Sequence, residues 1–295
     1  MTNPAIHRRT LLVGAAGLGL AAALPIARAA ADKITELEAQ HDITIGLHAR
    51  NLRTGATLSH RADQRFPHCS VFKALAVGAL LGDRRPHLRG VLERGVHYPP
   101  SALLPHSPFL EECLERGVVP TGAEVCRATL QLSDNAAGNW VLSQVDGPAG
   151  ATAFFRRHGD RITRMDRWET ELNSAVPGDE RDTTTPTAIA KSYVGLLVGS
   201  TLRPAERQLL RTWMLGNTTS DERFRAGLPR GWRLADKTGS GDYGVANDVG
   251  VAWTDRDVPV VIAAFTRSDR KDATTTDPAV LAELARISAA TVVTD

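Results

Sequence analysis

The fold of this chain is built around residues 70–82, which read SVFKALAVGALLG. The spacing predicts a helix over this stretch, and apolar side chains surround it on all sides apart from Ser70 and Lys73. A helix that is apolar all round is buried inside a protein rather than laid on its surface. We therefore expect this helix at the centre of a lobe.

Strand and helix patterns flank this helix in a definite order. The predicted strands lie towards both ends of the chain, at residues 43–51, 56–60, 233–238, 249–253 and 258–267. The predicted helices are residues 32–40, 122–132, 135–144, 187–198, 204–215 and 278–292. No convincing strand pattern interrupts the stretch from Ser70 to about residue 215.

This order predicts an α/β fold, with an antiparallel five-stranded sheet assembled from N- and C-terminal segments and flanked by helices, plus a mainly helical lobe. We expect residues 32–66 and 216–295 to form the α/β lobe and residues 67–215 to form the helical lobe. A cleft between two lobes is a frequent place for a ligand site, so the active site is expected there.

The composition is that of a folded protein with a nearly neutral surface. Hydrophobic residues make up 42% of the 295 residues and charged residues 23%, which excludes a disordered or collagen-like chain. The formal net charge is +2, and the first 31 residues hold three arginines and no acidic residue, so the rest carries −1. Nucleic-acid-binding proteins show a basic excess, so nucleic acid is not an expected partner.

Neither a disulfide framework nor a metal site is expected. The three cysteines, Cys69, Cys113 and Cys126, are an odd number, which leaves at least one free thiol. The nine histidines form no His-Glu-Xaa-Xaa-His motif and no close cluster with cysteine.

The first 31 residues have the pattern of a secretion signal of the twin-arginine type. Arg8 and Arg9 precede an apolar run over residues 11–26, and Ala-Arg-Ala at residues 27–29 is typical of a cleavage site. A membrane anchor is the alternative, but Pro25 breaks the run and a spanning helix needs about 20 apolar residues. We expect a periplasmic or secreted protein with no stable membrane association after cleavage.

Ser70 and Lys73 are three residues apart, which on a helix places the hydroxyl and the amine on one face. The amine can accept the hydroxyl proton if burial lowers its pKa, and the positive end of the helix favours the anion that develops. The alternative is a helix cap with a lysine that reaches solvent. Because an unpaired buried lysine is costly, the apolar surroundings of Lys73 favour the catalytic interpretation.

Two short motifs follow at a distance, Ser-Asp-Asn at residues 133–135 and Lys-Thr-Gly at residues 237–239. Taken alone, the first is typical of helix capping and the second of a surface turn. A given tripeptide occurs by chance about 0.04 times in a chain of this length. Both motifs, in this order after a helical Ser-Xaa-Xaa-Lys, therefore indicate a serine active site.

The three motifs together resemble those of class A serine β-lactamases, over nearly all of the chain that follows the signal. A further element favours this family over the related penicillin-binding peptidases. Residues 167–173, RWETELN, followed by residues 181–186, RDTTTP, resemble the class A Ω loop, here residues 164–182. The family often has a loop-closing ion pair, here Arg167 and Asp182, and a cis peptide after the catalytic glutamate.

The resemblance implies a role for each catalytic residue. Ser70 would be the acylated nucleophile, Lys73 its proton partner, and Ser133 the group that passes a proton to the leaving nitrogen. Glu169, with Asn173 helping to hold a water, would activate that water to hydrolyse the acyl-enzyme. Whether Lys73 or Glu169 is the base in acylation is disputed for the class.

The resemblance also implies how a small-molecule β-lactam would be held. Asn135 would bind the substrate side-chain amide, and Lys237, Thr238, Gly239 and Ser240 would bind the carboxylate. The oxyanion hole would use the backbone N–H groups of Ser240 and of the nucleophile. Such a donor is typically worth about 3 kcal/mol in the transition state. No metal or organic cofactor is implied.

This sequence departs from the family pattern at the edge of the site. Many relatives have an arginine on the strand after Lys-Thr-Gly, where this chain has Ala246, and Arg223 is then the candidate substitute, with a surface position as the alternative. His106 stands where an aromatic residue commonly lines the cleft mouth.

Cys69 precedes the nucleophile, as in some carbapenem-hydrolysing relatives. Those relatives pair it with a cysteine shortly after Lys-Thr-Gly, where this chain has Gly241, so we expect Cys69 to be a small buried residue.

The sequence therefore predicts an enzyme that hydrolyses the β-lactam ring of penicillins and of cephalosporins, acting as a monomer. Two alternatives stay open, a penicillin-binding DD-peptidase and a β-lactam-sensing domain, which would both acylate without fast turnover. The presence of Glu169 and Asn173 beside the acylating motifs favours the hydrolase.

Overall fold

The computed structural model describes residues 17–83 and 85–293. Within them, no helix has the length and apolar character needed to cross a membrane. The twin-arginine motif of the predicted signal lies outside the described residues. One helix, Gly17–His41, covers both the end of the apolar run and the helix predicted at residues 32–40, because the alanine-rich segment between them also favours helix.

The strands and helices follow in chain order. The strands are β1 Thr44–Asn51, β2 Thr57–His60, β3 Phe66–Pro67, β4 Thr183–Thr184, β5 Arg233–Ser240, β6 Ala246–Trp253 and β7 Pro259–Arg267. The helices are α1 Gly17–His41, α2 Phe72–Gly82, α3 Pro108–Glu115, α4 Gly122–Gln131, α5 Asn135–Gln144, α6 Gly147–Arg157, α7 Pro186–Leu197, α8 Pro204–Leu215, α9 Phe224–Gly227 and α10 Pro278–Val292.

Five strands form one antiparallel sheet in the order β2-β1-β7-β6-β5, which confirms the predicted α/β fold. The central pairing joins the two ends of the chain, since Thr44 of β1 lies opposite Arg267 of β7. All eight residues of β6 are buried, because both faces of the sheet are covered. One face packs with α1 and α10 and the other with the helices of residues 72–215.

The helix α2 lies at the centre of the larger apolar cluster, as its sequence predicts. Every residue from Phe72 to Leu81 is buried. Cys69–Val71 forms a 3-10 turn that precedes α2, so Ser70 lies one turn before the α-helix rather than within it. Two helices that the sequence pattern did not predict are α3, which packs against α4, and α6, which packs against α2 and α5.

A second sheet corrects the prediction that no strand occurs between residues 70 and 215. Thr183–Thr184 pairs with Phe66–Pro67 in two antiparallel strands. Pairs this short carry no periodic pattern, and only the distant partner makes them strands. This small sheet holds the end of the Ω loop beside the chain that leads into Ser70, where the N–H of His68 donates to the carbonyl of Asp182 at 3.0 Å.

Candidate active site

Ser70 and Lys73 meet at the buried start of α2. The Nζ of Lys73 donates to the Oγ of Ser70 at 2.9 Å, and neither side chain has more than slight exposure. The backbone of Cys69 has a positive φ of 46° and turns the chain sharply just before the nucleophile. The spacing of three residues therefore places hydroxyl and amine in contact.

The amine of Lys73 is surrounded by acceptors from two other segments, the Ser-Asp-Asn motif and the Ω loop. It donates to the carbonyl of Ser133 and to the Oδ1 of Asn135, both at 2.7 Å, and lies 3.0 Å from the Oε1 of Glu169. Burial lowers the pKa of Lys73, and the charge of Glu169 opposes this shift. The amine is thus held where it can take and return a proton.

Glu169 completes this cluster from the Ω loop. Its Oε1 accepts from the Oγ of Ser70 at 3.2 Å, and its Oε2 accepts from the Nδ2 of Asn173 at 2.6 Å. The peptide between Glu169 and Thr170 is cis, in agreement with the expectation from the resemblance. The carboxylate therefore faces the nucleophile with one oxygen and an amide with the other.

Asn139 is a site residue that the sequence reasoning missed. Its Nδ2 donates to the carbonyl of Glu169 and its Oδ1 accepts from the N–H of Glu169, each at 2.9 Å. Asn139 lies four residues after Asn135 and so on the same face of α5, which was the available signal. Asn135 therefore contacts the cluster through Lys73, and Asn139 contacts it through the Ω loop.

The Ser-Asp-Asn motif contributes both to the capping of α5 and to the site. Asp134 caps α5 by accepting from the N–H of Ala137 at 2.8 Å, as the capping interpretation predicts. Ser133 has a positive φ of 58°, and its Oγ lies 3.4 Å from the Nζ of Lys73. The Nδ2 of Asn135 donates to the carbonyl of Pro105 at 2.8 Å, so this amide is fixed from both ends.

The Lys-Thr-Gly motif lies on β5, alongside the nucleophile. Lys237 is completely buried, and desolvation, reinforced by the charge of Lys73, lowers its pKa to about 7. The Oγ1 of Thr238 is 2.5 Å from that of Thr219. A Cβ on Gly239 would come within 2.9 Å of the carbonyl of His68, so only glycine lets the strand pass this close.

Arg223 lies against the end of β5 rather than free on the surface. Its Nη1 donates to the carbonyls of Gly239 and Asn247 at 3.0 and 2.9 Å, and its Nη2 donates to the Oγ of Ser240 at 2.8 Å. The guanidinium therefore sits beside Ser240, while Ala246 is buried in the neighbouring strand.

His106 and Cys69 mark two other sides of the cluster. The Nε2 of His106 lies 3.0 Å from the carbonyl of Leu132, and its own carbonyl accepts from the N–H of Asn135. Cys69 is buried with a free thiol, and burial raises its pKa. A Cβ on Gly241 would lie 2.8 Å from its sulfur.

The expected ion pair of the Ω loop is present. The Nε of Arg167 lies 2.6 Å from the Oδ2 of Asp182, whose carboxylate also accepts the N–H groups of Asp166 and Arg167. Asp182 is buried, so this contact closes the stem of the loop from inside. Across the described ranges, no three His, Cys, Asp or Glu side chains are arranged to hold a metal.

Known proteins resemble this chain over most of its length. A family model described as the β-lactamase enzyme family matches residues 29–292. The β-lactamase FAR-1 of Nocardia farcinica is 46% identical over 255 residues, which cover 86% of this chain and 78% of that protein.

Two further known proteins match a larger share of this chain. A carbapenem-hydrolysing β-lactamase KPC of Klebsiella oxytoca is 42% identical and covers 96% of both chains. The solved structure of the β-lactamase of Streptomyces albus G superposes with a TM-score of 0.85 at 41% identity, covering 90% of this chain and 99% of that one.

Proposed function

Because this chain belongs to the β-lactamase enzyme family and is a class A β-lactamase, we propose that it hydrolyses penicillins and cephalosporins through an acyl-enzyme on Ser70. The observation that carries this proposal is the contact of the Oγ of Ser70 with both Lys73 and Glu169, at 2.9 and 3.2 Å. A serine between an amine and a carboxylate has a proton acceptor for each half of the reaction.

In the acylation step, the Oγ of Ser70 attacks the lactam carbonyl carbon and the C–N bond of the ring breaks. The serine proton passes to Lys73 or Glu169, and Ser133, whose Oγ is 3.4 Å from the amine of Lys73, delivers a proton to the ring nitrogen. The backbone N–H groups of Ser70 and Ser240 stabilise the oxyanion. The product is an ester with the ring opened.

In the deacylation step, a water between Glu169 and Asn173 attacks the ester carbonyl. Glu169 takes a proton from this water, the ester C–O bond breaks, and Ser70 regains its hydrogen. The hydrogen bond of 2.6 Å from Asn173 to Oε2 supports this role, because it fixes the carboxylate beside the nucleophile.

The substrate carboxylate binds at the end of β5. Lys237, Thr238 and Ser240 line this place, and Arg223 adds a second positive charge through its contact with Ser240. Asn135 binds the side-chain amide of the substrate, and His106 lines the mouth of the cleft. The partner is the small-molecule β-lactam substrate, and the proposed reaction uses no cofactor.

The first test mixes residues 30–295 with benzylpenicillin and follows ring opening and protein mass, for the parent and for Glu169→Ala. We expect rapid turnover by the parent and a stable adduct on Ser70 in the variant. Glu171→Ala, at an exposed position two residues away, is the matched control and should turn over like the parent.

Two outcomes would contradict the proposal. A stable adduct on the parent would point to a penicillin-binding peptidase or a sensor. Absence of both an adduct and turnover would remove β-lactam chemistry from this site.

We make three further proposals about the parts of the chain outside the site. Residues 1–31 are an export signal that is cleaved, which places the mature protein in the periplasm or outside the cell. Residues 32–66 and 216–295 form one lobe and residues 67–215 the other, supported by an apolar cluster drawn only from residues 30–58 and 224–292. The mature chain is a monomer.

A further inference from the structure

The ring of His68, immediately before Cys69 and Ser70, contacts two acceptors. Its Nδ1 lies 3.0 Å from the carbonyl of Cys69, and its Nε2 lies 3.1 Å from the carbonyl of Arg164 at the start of the Ω loop. The side chain is completely buried, so no solvent can replace either contact. The two carbonyls belong to the two segments that carry the nucleophile and Glu169.

A carbonyl oxygen can only accept a hydrogen bond, so each contact needs a hydrogen on the ring nitrogen. A neutral imidazole has only one N–H, whereas the imidazolium form has two. The ring is therefore satisfied on both sides only in its cationic form. A neutral ring would leave one buried nitrogen facing a carbonyl without a hydrogen between them.

The contact with Cys69 acts on the oxyanion hole of the proposed function. The carbonyl of Cys69 and the N–H of Ser70 belong to the same peptide group. That carbonyl also accepts from the N–H of Phe72, and a second hydrogen bond from the ring further fixes the plane of the peptide and polarises its N–H, which becomes a stronger donor. The same hydrogen bond helps to hold Cys69 at its positive φ of 46°, a backbone conformation that residues other than glycine rarely adopt.

The charged groups around the ring are compatible with a cation. Asp166 lies on the same loop, and its pKa is lowered mainly by hydrogen bonding to Arg164 and in smaller part by the charge of His68. The guanidinium of Arg164 is engaged by Asp166, and the carboxylate of Asp182 by Arg167.

Helix α2 and strand β6, which also contact His68, bring neutral groups to it. Phe72 of α2 lies 5.8 Å away between ring centroids, and Asn247 of β6 donates to the carbonyl of His68 at 3.3 Å. The thiol of Cys69 is kept neutral by burial.

We propose that His68 is a positioning residue, whose doubly protonated ring fixes the Cys69–Ser70 peptide for oxyanion binding and ties it to the Ω loop through Arg164. This inference rests on the proposed function, in which the N–H of Ser70 binds the oxyanion. The ring touches neither substrate nor reacting atoms, and its effect passes through the backbone.

A first measurement reads the ring directly, without activity. The mature parent protein is labelled with ¹⁵N-histidine, and the His68 signals are assigned by their loss in His68→Asn. We expect both ring nitrogens of His68 to carry hydrogen at neutral pH. A neutral ring with one bare nitrogen would overturn the proposal, whatever the fate of the β-lactamase mechanism.

A second measurement follows formation of the Ser70 adduct by rapid quench and mass spectrometry with benzylpenicillin. His68→Leu removes both donors and should slow acylation by about tenfold or more, with little change in KM. His68→Asn places an amide N–H where Nδ1 stands and should restore most of the rate. His68→Gln reaches only the Nε2 position and should stay close to the leucine variant.

His158→Asn, at an exposed histidine, is the control and should acylate like the parent. Equal acylation by His68→Leu and the parent, or equal rescue by asparagine and glutamine, would overturn the role of His68 while leaving acylation of Ser70 intact. Failure of the parent to form any adduct would instead remove the proposed function. If the leucine variant does not fold, the ¹⁵N measurement on the parent still decides.

Discussion

The deep burial of Lys237 makes its charge sensitive to pH. Its pKa is lowered to about 7, chiefly by desolvation and then by the charge of Lys73. The ordinary lysine value of about 10.4 applies in the unfolded chain. Between these values the unfolded state binds more protons, so this residue makes stability rise with pH over that window. Substrate binding instead favours lower pH, because the substrate carboxylate binds the charged form of Lys237.

We therefore expect kcat/KM for benzylpenicillin to fall above about pH 7 in the free enzyme, as Lys237 loses its proton. Lys237→Arg keeps the charge and should move this alkaline limb to higher pH, even if the maximal rate is lower. A full pH profile of both proteins checks this. An alkaline limb at the same place in both would mean that another group causes it.

Arg223 permits a second prediction at the scale of one residue. Because its guanidinium contacts Ser240 at 2.8 Å, Arg223→Ala should raise KM for penicillins by about tenfold, or about 1.4 kcal/mol, with a smaller change in kcat. Arg230→Ala, at an exposed arginine on the following loop, is the matched control. An unchanged KM in Arg223→Ala would remove this residue from the site.

At the scale of elements, the stem of the Ω loop is closed by the ion pair of Arg167 with Asp182. The Arg167 side chain is 15% exposed and that of Asp182 is 1% exposed, so removing one partner leaves the other charge largely buried. Arg167→Ala should lower the free energy of unfolding by about 3 kcal/mol and slow deacylation. Arg116→Ala breaks an exposed ion pair with Glu112 and should change the free energy of unfolding by less than about 1 kcal/mol.

Thermal and urea unfolding of these two variants give the comparison. Similar losses of stability in both would show that the Ω loop pair behaves as a surface contact.

Strands β5 and β6 carry a pair of buried carboxyl groups, Asp236 and Asp248. Burial, with the neighbouring charge of Asp248 second, raises the pKa of Asp236 well above its usual value. We expect Asp236→Asn to keep the free energy of unfolding within about 1 kcal/mol, since a neutral amide has nearly the shape of the carboxyl group and can still form hydrogen bonds. Asp236→Ala should lose about 2 kcal/mol.

The pH dependence gives the check on this pair. A carboxyl group whose pKa is raised by folding stabilises the protein at low pH. The protein loses this stability as the pH rises through the pKa that the group has in the folded state. The parent should therefore lose stability with rising pH through this pair, and Asp236→Asn should lose less. Identical slopes would mean that Asp236 is ionised in the folded protein.

The elements that the sequence predicts well are those whose side chains repeat with a period. Strand β7, expected from residue 258, begins at Pro259, and α10 has the predicted bounds. Strands β3 and β4 depend on pairing between segments distant in sequence, so no local pattern could reveal them. The spacing of Asn139 from Asn135 indicated a shared helix face, but not the contact with Glu169. The motif residues were found because chemistry restricts their types, whereas the contacts of His68 follow from the backbone path of the Ω loop.

At the scale of the whole molecule, α1 is part of the packed fold. Ile34 is completely buried against the sheet, and Glu38 accepts from the N–H of Ile45 at 2.7 Å and from Arg61. Deletion of residues 1–29 should leave the melting temperature unchanged. Deletion of residues 1–41 should lower it by about 10 °C or more, because it exposes this face of the sheet.

Calorimetry of the two truncations checks this prediction. A melting temperature that the longer deletion leaves unchanged would show that α1 contributes nothing to the fold.

The order β2-β1-β7-β6-β5 has a consequence for the chain during its synthesis. Strand β7 is synthesised about 200 residues after its neighbour β1, so the sheet has no centre until then. During that interval, the edge of β1 that later pairs with β7 is open, and the nascent chain must keep it out of contact with other chains. A protein released after residue 258, for example at a premature stop codon, would lack β7 and should be cleared by proteases rather than accumulate.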